Sequence, residues 1–361
     1  MRKIKVFAFT SHQTKDRTSG VDFARIIQPM SYLDGYKDKD VEFDVYVYGI
    51  KDLDKKLNWA DVAKEYDVIY LNYFNDSWGF AAMGCMGQKY NCKIVLDVDD
   101  ALWLIRPDNH SYSVYKPGSE SIRNFSCMCD AVDYMTCTNN YLRNIISSKT
   151  SQNKVKVFTN YIDLELYKAR PKFKDDGDIQ ILHFGSSTHA MDLQDKYFVE
   201  GLDMLMKRLP NVTFKTIGAF IPKLKEKWGN RYSYAYGDVD IYKWVSEKFP
   251  IFMAEADIVV APLEIDGYNK SKSEIKYLEY SSAGKPGVYQ DVRQYREMIT
   301  QGENGYLAST ANQWYKALKK LATNAELRKK VGENAYNDVQ ERTIQKHTKD
   351  YAEFFKDLTK E

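Results

Sequence analysis

Between Asn269 and Pro286 the chain reads NKSKSEIKYLEYSSAGKP, and its charged side chains have the types and spacing to hold a phosphorylated sugar. Lys272, Lys276 and Glu279 stand at i, i+4 and i+7, which puts them on one face of a helix. Ser271, followed three residues later by Glu274, gives a capping-box pattern and predicts a helix over Lys272–Ala283. The first amides of that helix, on Lys272 and Ser273, make an anion site. Two lysines four residues apart repel, and an anion relieves the repulsion. One face thus offers two cations and helix amides for phosphates, and a carboxylate for sugar hydroxyls. Asn269, at the head of the segment, joins the ligand-binding candidates. The spacing is open to a plainer reading as well, in which Lys276 pairs with Glu279 on a solvated face and Glu274 only caps.

Three other constellations could carry chemistry. In HFGSSTHAMDL, His183 to Leu193, a strand ends at Gly185, and Gly185, Ser186 and Ser187 could present N–H groups to phosphates or sugar. His189 and Asp192, three apart, are either ligand-facing or a local His–Asp pair, and His183 reads as a packed strand residue. In KIVLDVDDALW, Lys93 to Trp103, a strand delivers Asp97, Asp99 and Asp100 to its carboxyl end, where clustered carboxylates could bind sugar hydroxyls and raise one pKa. Structural capping and a metal-binding D-x-D are the rival readings. In the first strand-to-helix loop, Thr10–Gly20, Gly20 permits an unusual backbone turn, and Arg25, one turn into the following helix, either reaches a ligand or forms a surface salt bridge.

These residues need a scaffold, and short apolar strands alternating with amphipathic stretches supply one: a parallel sheet flanked by helices. Strands are expected at Ile4–Phe9, Phe43–Tyr48, Val68–Asn72, Ile94–Val98, Tyr134–Thr138 and Val155–Phe158, with helices around Val21–Leu33, Asp76–Tyr90, Glu120–Cys129 and Asn140–Ser147. The charged stretch ARPKFKDDGD, Ala169–Asp178, reads as a linker. A second series follows, with strands at Ile179–Phe184, Thr213–Ile217, Ile258–Ala261, Gly287–Tyr289 and Gly305–Ala308, and helices near Asp195–Arg208, Ile241–Lys248 and Arg293–Thr300. From Asn312 to Leu358 the pattern is almost continuous helix. The apolar run Ala256–Leu263 precedes the Lys272 segment by a short loop, and in open α/β sheets ligands bind at such carboxyl ends.

Composition narrows the class. A length of 361 residues suits two domains, and 44% hydrophobic with 28% charged residues describes an ordinary globular chain. The 52 basic and 50 acidic residues leave a net charge of +2, which argues against a dedicated nucleic-acid binder. Five cysteines lack the paired spacing of a zinc site and read as reduced thiols. MRKIKVFAFTS reads as a first strand rather than a signal peptide, and no apolar run is long enough to span a membrane. A cytoplasmic setting follows; the basic, tryptophan-bearing stretch Lys223–Arg231 reads first as a solvated helix face and second as a peripheral contact at the inner membrane face.

The segment LEYSSAGKPGVYQ, Leu278–Gln290, and the tail Asn312–Glu341 resemble the GT-B glycosyltransferases of the large retaining group, family 4 or group 1. That resemblance implies two Rossmann-like domains facing a central cleft. The acceptor domain would span residues 1–170, joined by a last helix, about 343–361, that crosses back to it, and the donor domain residues 171–342. It implies that Glu279 binds the donor's ribose hydroxyls; the family's second glutamate, eight positions earlier, corresponds to Ser271 here. Lys272 and Lys276 stand in for the usual diphosphate-gripping arginine and lysine, and Asp99-Asp100 occupies the place of a His-Asp pair near the reacting carbon. The expected reaction is metal-independent transfer of a hexose from a nucleotide diphosphate sugar, UDP-linked by preference, to a glycan or lipid-linked acceptor. No cofactor beyond that donor is expected. An epimerase on the same fold, or a silent glycan-binding scaffold, is the alternative.

Overall fold

A computed structural model describes residues 1–361 except 11–13, 16, 75, 110, 169–172, 174–176, 238–239 and 361. Most of the expected linker and part of the Thr10–Gly20 loop therefore lie outside the described residues. The chain forms two compact units: residues 1–163, 271–273 and 344–361, and residues 164–270 with 274–343.

The first unit is built on six parallel strands, β1 (Arg2–Phe9), β2 (Val41–Tyr48), β3 (Val68–Asn72), β4 (Lys93–Val98), β5 (Tyr134–Cys137) and β6 (Val155–Val157). They lie in the order β2-β1-β3-β4-β5-β6. Alternation along each strand feeds two cores. Ile4, Val6, Ala8, Tyr70 and Val95 point to one face; Phe7, Phe9, Ile69, Leu71 and Leu96 point to the other. The first face is covered partly by the chain's last helix, Ile344–Leu358, through Tyr351 and Phe355. Tyr351 stacks on Phe158 at 4.2 Å between ring centres, and Lys356 bonds Asp38 at 3.0 Å and Asp40 at 2.6 Å.

The tail is not one helix. It divides into Ala311–Ala322, Ala325–Val339 and Ile344–Leu358, because Asn324 turns out of the helix and caps the next one, accepting from Leu327 N–H at 2.9 Å. The helix expected at Val21–Leu33 runs Gly20–Leu33 but carries a π turn, Phe23–Ile27. Pro29 cannot donate to the carbonyl of Arg25, and the Tyr70 hydroxyl donates there instead, at 3.4 Å. The same device carries the helix expected to stop at Lys248 onward to Glu255, with a π turn at Trp244–Lys248 just before Pro250.

Arg25 is not at the surface. Its guanidinium forks onto Asp97, Nε at 2.9 Å and Nη2 at 2.8 Å, while Nη1 donates to the Phe158 carbonyl and the Asn160 side chain, both at 2.9 Å. Asp97 also accepts from Thr136 at 2.5 Å and, at 3.3 Å, shares with the Arg25 carbonyl the single hydroxyl hydrogen of Tyr70. Burial pulls the guanidinium's pKa down, but the Asp97 carboxylate beside it outweighs burial and holds it well above its ordinary value.

The second unit repeats the plan with β7 (Ile179–Phe184), β8 (Val212–Ile217), β9 (Tyr232–Ala235), β10 (Ile258–Ala261), β11 (Gly287–Gln290) and β12 (Tyr306–Ala308). Their order is β12-β11-β10-β7-β8-β9, all parallel. Helices Lys196–Arg208 and Ala311–Ala322 pack on the core through Phe198, Leu202, Trp314 and Leu318. β9 and the helix Trp59–Glu65 are not anticipated from the sequence, each being too short to show a period, whereas the helix Pro222–Trp228 falls where Lys223–Arg231 reads as a helix face. Trp228, the residue that suggested lipid contact, is buried and donates from Nε1 to Asp203 at 3.2 Å, so Lys223, Lys225 and Lys227 occupy a solvated helix face. Among the described residues no helix is long and apolar enough to cross a membrane.

Two outcomes are expected. Asp97→Ala leaves Arg25 buried without its partner and should cost about 3–5 kcal/mol in chemical denaturation, whereas the paired swap Arg25→Met with Asp97→Leu should cost far less. Asp38 is held at about 2, below its usual 3.8, chiefly by the amides of Val41 and Asp40 and then by Lys356. Its stabilising contribution is therefore present above 3.8 and lost as pH falls through about 2. Asp38→Asn should flatten the acid limb of a thermal-unfolding profile in that window.

Candidate functional site

In the second unit the chain builds β7, β8 and β9 outward, then returns to lay β10 on the other side of β7. That reversal is the topological switch point, where open α/β sheets bind ligands. The β7–β10 ladder pairs Ile181 with Ile258 and Leu182 with Val259. Just past it, side chains take over the backbone bonding. The carbonyl of Val260 accepts from His183 Nδ1 at 2.9 Å and from the Tyr280 hydroxyl at 3.3 Å, and that hydroxyl accepts from Phe184 N–H at 3.2 Å. Tyr280 thus wedges the two strand ends apart and satisfies the groups this exposes.

Tyr280 belongs to the helix Ile275–Ser282, which starts three residues later than the capping box predicts. Ser271 instead ends a short helix, Gly267–Ser271; its hydroxyl accepts from Ala101 N–H at 3.2 Å and its carbonyl from Asn139 at 2.7 Å. With that oxygen engaged, Glu274 takes the N-cap position, making no side-chain cap bond, and the first helical amides are those of Ile275 and Lys276. Lys272 and Ser273 therefore lie off the helix and in the first unit, where the Ser273 hydroxyl accepts from Asn160 at 2.7 Å. The shared face of Lys272, Lys276 and Glu279 does not form.

Lys276 and Glu279 do meet, Nζ to Oε2 at 2.9 Å, but not on a solvated face: their side chains are 13% and 8% exposed. The ammonium also lies 3.6 Å from the ring centre of Phe184, a cation–π contact that offsets its dehydration. Glu279 Oε1 accepts from the Tyr167 hydroxyl at 3.3 Å. Phe184 rests on Trp244 and Phe249, and Tyr167 on Phe249, so an aromatic floor fixes the pair. A lysine has three donors; one meets Glu279, leaving capacity for an anion at the helix start.

After β7, Gly185 does not offer its amide to a ligand, because that N–H continues the ladder to Ile217 at 3.0 Å. Ser186 bonds Thr188 hydroxyl to hydroxyl at 2.6 Å; Ser187 begins a 3-10 turn, and its side chain lies outside the described residues. His189 Nδ1 meets Asp192 at 3.1 Å, the local pair. Asp192 is buried and also accepts from Asn269 at 2.8 Å and from Glu264 N–H at 3.1 Å, so Asn269 is a brace between loops. His183 is buried in the strand, and burial pushes its pKa down to about 3, which keeps it neutral.

In the first unit Asp99 and Asp100 follow β4 directly, half-buried. Asp97 is not clustered with them chemically: its carboxylate is taken by Arg25, which removes both the three-carboxylate group and the D-x-D reading. Arg25, with four donor contacts inside the protein, has no reach to a ligand. Gly20 is the first residue of a helix capped by Ser19, with no unusual turn to permit. Among the described residues no three His, Cys, Asp or Glu side chains group so as to hold a metal ion. The sequence reading missed Tyr167, Phe184 and Tyr280, aromatic residues whose role comes from long-range packing; Tyr280, next to Glu279, was the nearest to a signal.

Residues 179–324, which belong to the second unit except for 271–273, match the family model described as glycosyl transferases group 1. No curated protein matches the chain in sequence. Among solved structures, Anabaena HepE in complex with UDP-glucose is similar at a TM-score of 0.67 and 14% identity, covering 98% of this chain and 100% of that one. A glycosyltransferase from Rickettsia africae gives 0.66 and 14%, covering 99% of each. Sucrose-phosphate synthase from Thermosynechococcus elongatus gives 0.63 and 13%, covering 98% and 99%. The fold is therefore that of the GT-B glycosyltransferases, with two Rossmann-like six-stranded parallel sheets.

The loop after β8 sets the floor beside Gly185. Gly218 takes φ +86, and a Cβ there would overlap the Gly185 carbonyl oxygen. Gly218→Ala should cost about 2–4 kcal/mol, summing left-handed strain and overpacking, as read by chemical denaturation.

Proposed function

We propose that the chain is a glycosyltransferase that moves a hexose from a UDP-linked donor to a hydroxyl of a glycan or lipid-linked acceptor, with retention at the anomeric carbon and without a metal ion. The observation that carries this reading is the Lys276–Glu279 pair, set beside Phe184 at the carboxyl end of β7 in the unit that matches the family. The UDP-glucose complex of the similar HepE supports the choice of donor.

In this reading the second unit is the donor domain. Glu279 accepts hydrogen bonds from ribose hydroxyls, and Lys276 with the amides of Ile275 and Lys276 faces the diphosphate. The acceptor oxygen forms its bond to the anomeric carbon as the bond from that carbon to the phosphate oxygen breaks. The departing diphosphate takes the acceptor's proton, so no separate protein base is needed. Charge builds on the diphosphate in the transition state, and a preorganised ammonium and helix amides stabilise it there more than in the ground state. The first unit is the acceptor domain, with Asp99 and Asp100 at the end of β4 binding sugar hydroxyls and Lys272 and Ser273 as further polar contacts.

Glu279→Ala should weaken UDP-sugar binding at least tenfold, about 1.4 kcal/mol, in calorimetry. Unchanged affinity in a folded variant would overturn the assignment. A thermal-shift and hydrolysis screen with UDP-, GDP- and ADP-sugars should single out UDP, and the anomeric coupling in the product's proton NMR spectrum should report retention.

A further inference from the structure

His183 has one nitrogen whose state is fixed by its partner. Nδ1 lies 2.9 Å from the Val260 carbonyl, which can only accept, so Nδ1 carries the hydrogen. Burial keeps the ring neutral. Nε2 is therefore a bare acceptor, and it is buried with no hydrogen-bond partner among the described residues. An orphaned lone pair of this kind carries a desolvation cost that evolution removes cheaply, by leucine or phenylalanine, unless something donates to it.

Its surroundings say what could donate. His183 is the next-to-last residue of β7, at the switch point, one residue before the Phe184 ring that seats Lys276. Gly185 contributes no side chain beside it: a Cβ at that position would lie 3.0 Å from Nε2 and 2.6 Å from Cδ2 of His189. The His189 ring stands edge to face with His183 at 5.7 Å between centres and is held from its other side by Asp192. The hydroxyls of Ser186 and Thr188 lie in the same loop. A donor small enough for this place is a hydroxyl, and the ligand proposed for this end of the sheet carries several on its sugar ring.

We propose that His183 is a specificity residue of the donor site, its Nε2 accepting a hydrogen bond from one hydroxyl of the transferred sugar; this rests on the transferase reading above. The nucleotide is untouched by this contact, so the effect is read as the affinity for UDP-sugar relative to UDP. Two substitutions separate the ring's two nitrogens. His183→Asn keeps an N–H for Val260 and lacks the far acceptor, whereas His183→Gln reaches with an amide oxygen to where Nε2 stood.

In the unaltered protein, one monodeoxy analogue of the accepted UDP-sugar should bind at least tenfold more weakly than its parent. In His183→Asn the parent should fall to the level of that analogue, which falls no further, and His183→Gln should recover part of the loss. Equal losses for every analogue in both proteins, or an unchanged parent-to-UDP ratio in His183→Asn, would overturn the proposal. Failure of the unaltered protein to bind UDP at all would instead sink the donor reading. If the variants do not fold, nitrogen NMR of histidine-labelled native protein decides. The Nε2 resonance should move upfield with UDP-sugar and stay in place with UDP. A resonance that is unmoved by UDP-sugar, or already upfield in the ligand-free protein because a buried water donates, overturns it.

Discussion

The second unit depends on how β7 and β10 part company. Two parallel strands that stay hydrogen-bonded to their ends leave no room between them, and two that separate leave backbone groups unsatisfied. Here the separation is stabilised by side chains: His183 and Tyr280 both donate to the Val260 carbonyl, and the Tyr280 hydroxyl in turn accepts from Phe184 N–H. The helix bearing Tyr280 is thereby fixed against the strand ends, and Lys276 and Glu279, on the same helix, inherit its position. A single phenolic oxygen joins sheet geometry to site geometry.

The first unit solves a different problem with a charge. Asp97 stands at the end of an interior strand, where an unpaired carboxylate would not stay ionised. Arg25 reaches it with a two-pronged contact from a helix whose π turn is imposed by Pro29. The bidentate geometry, with Thr136 and Tyr70 closing the remaining lone pairs, is the arrangement in which a buried pair can repay its dehydration.

Much of this was legible in the chain. Strand positions and the alternation with helices followed from apolar periodicity, and the pairing of Lys276 with Glu279 was one of the two readings their spacing allowed. What failed did so for identifiable reasons. Ser271 has an ideal N-cap residue type, but its hydroxyl is claimed by Ala101, a residue 170 positions away. Arg25 has the look of a ligand-binding cation, yet its partner is 72 positions distant. Gly185 resembles a phosphate-cradling glycine, but its amide belongs to the sheet. In each case local chemistry was read correctly, and a long-range partner, invisible to spacing, decided its use.

The covering of the first sheet by the last helix has a consequence for biosynthesis. Residues 1–163 contain all six strands of that sheet, but Tyr351 and Phe355, which close its Ile4–Val6–Tyr70 face, come from the final helix. Between Asp163 and Ile344 the ribosome must make the bulk of the second unit, a delay of roughly 10–35 s at about 5–20 residues per second. During that interval the nascent sheet presents an apolar face to solvent, while the second unit, built almost wholly from one continuous stretch, is free to fold first. The order of emergence thus reverses the order of completion, and the amino-terminal half is the one exposed to chaperones.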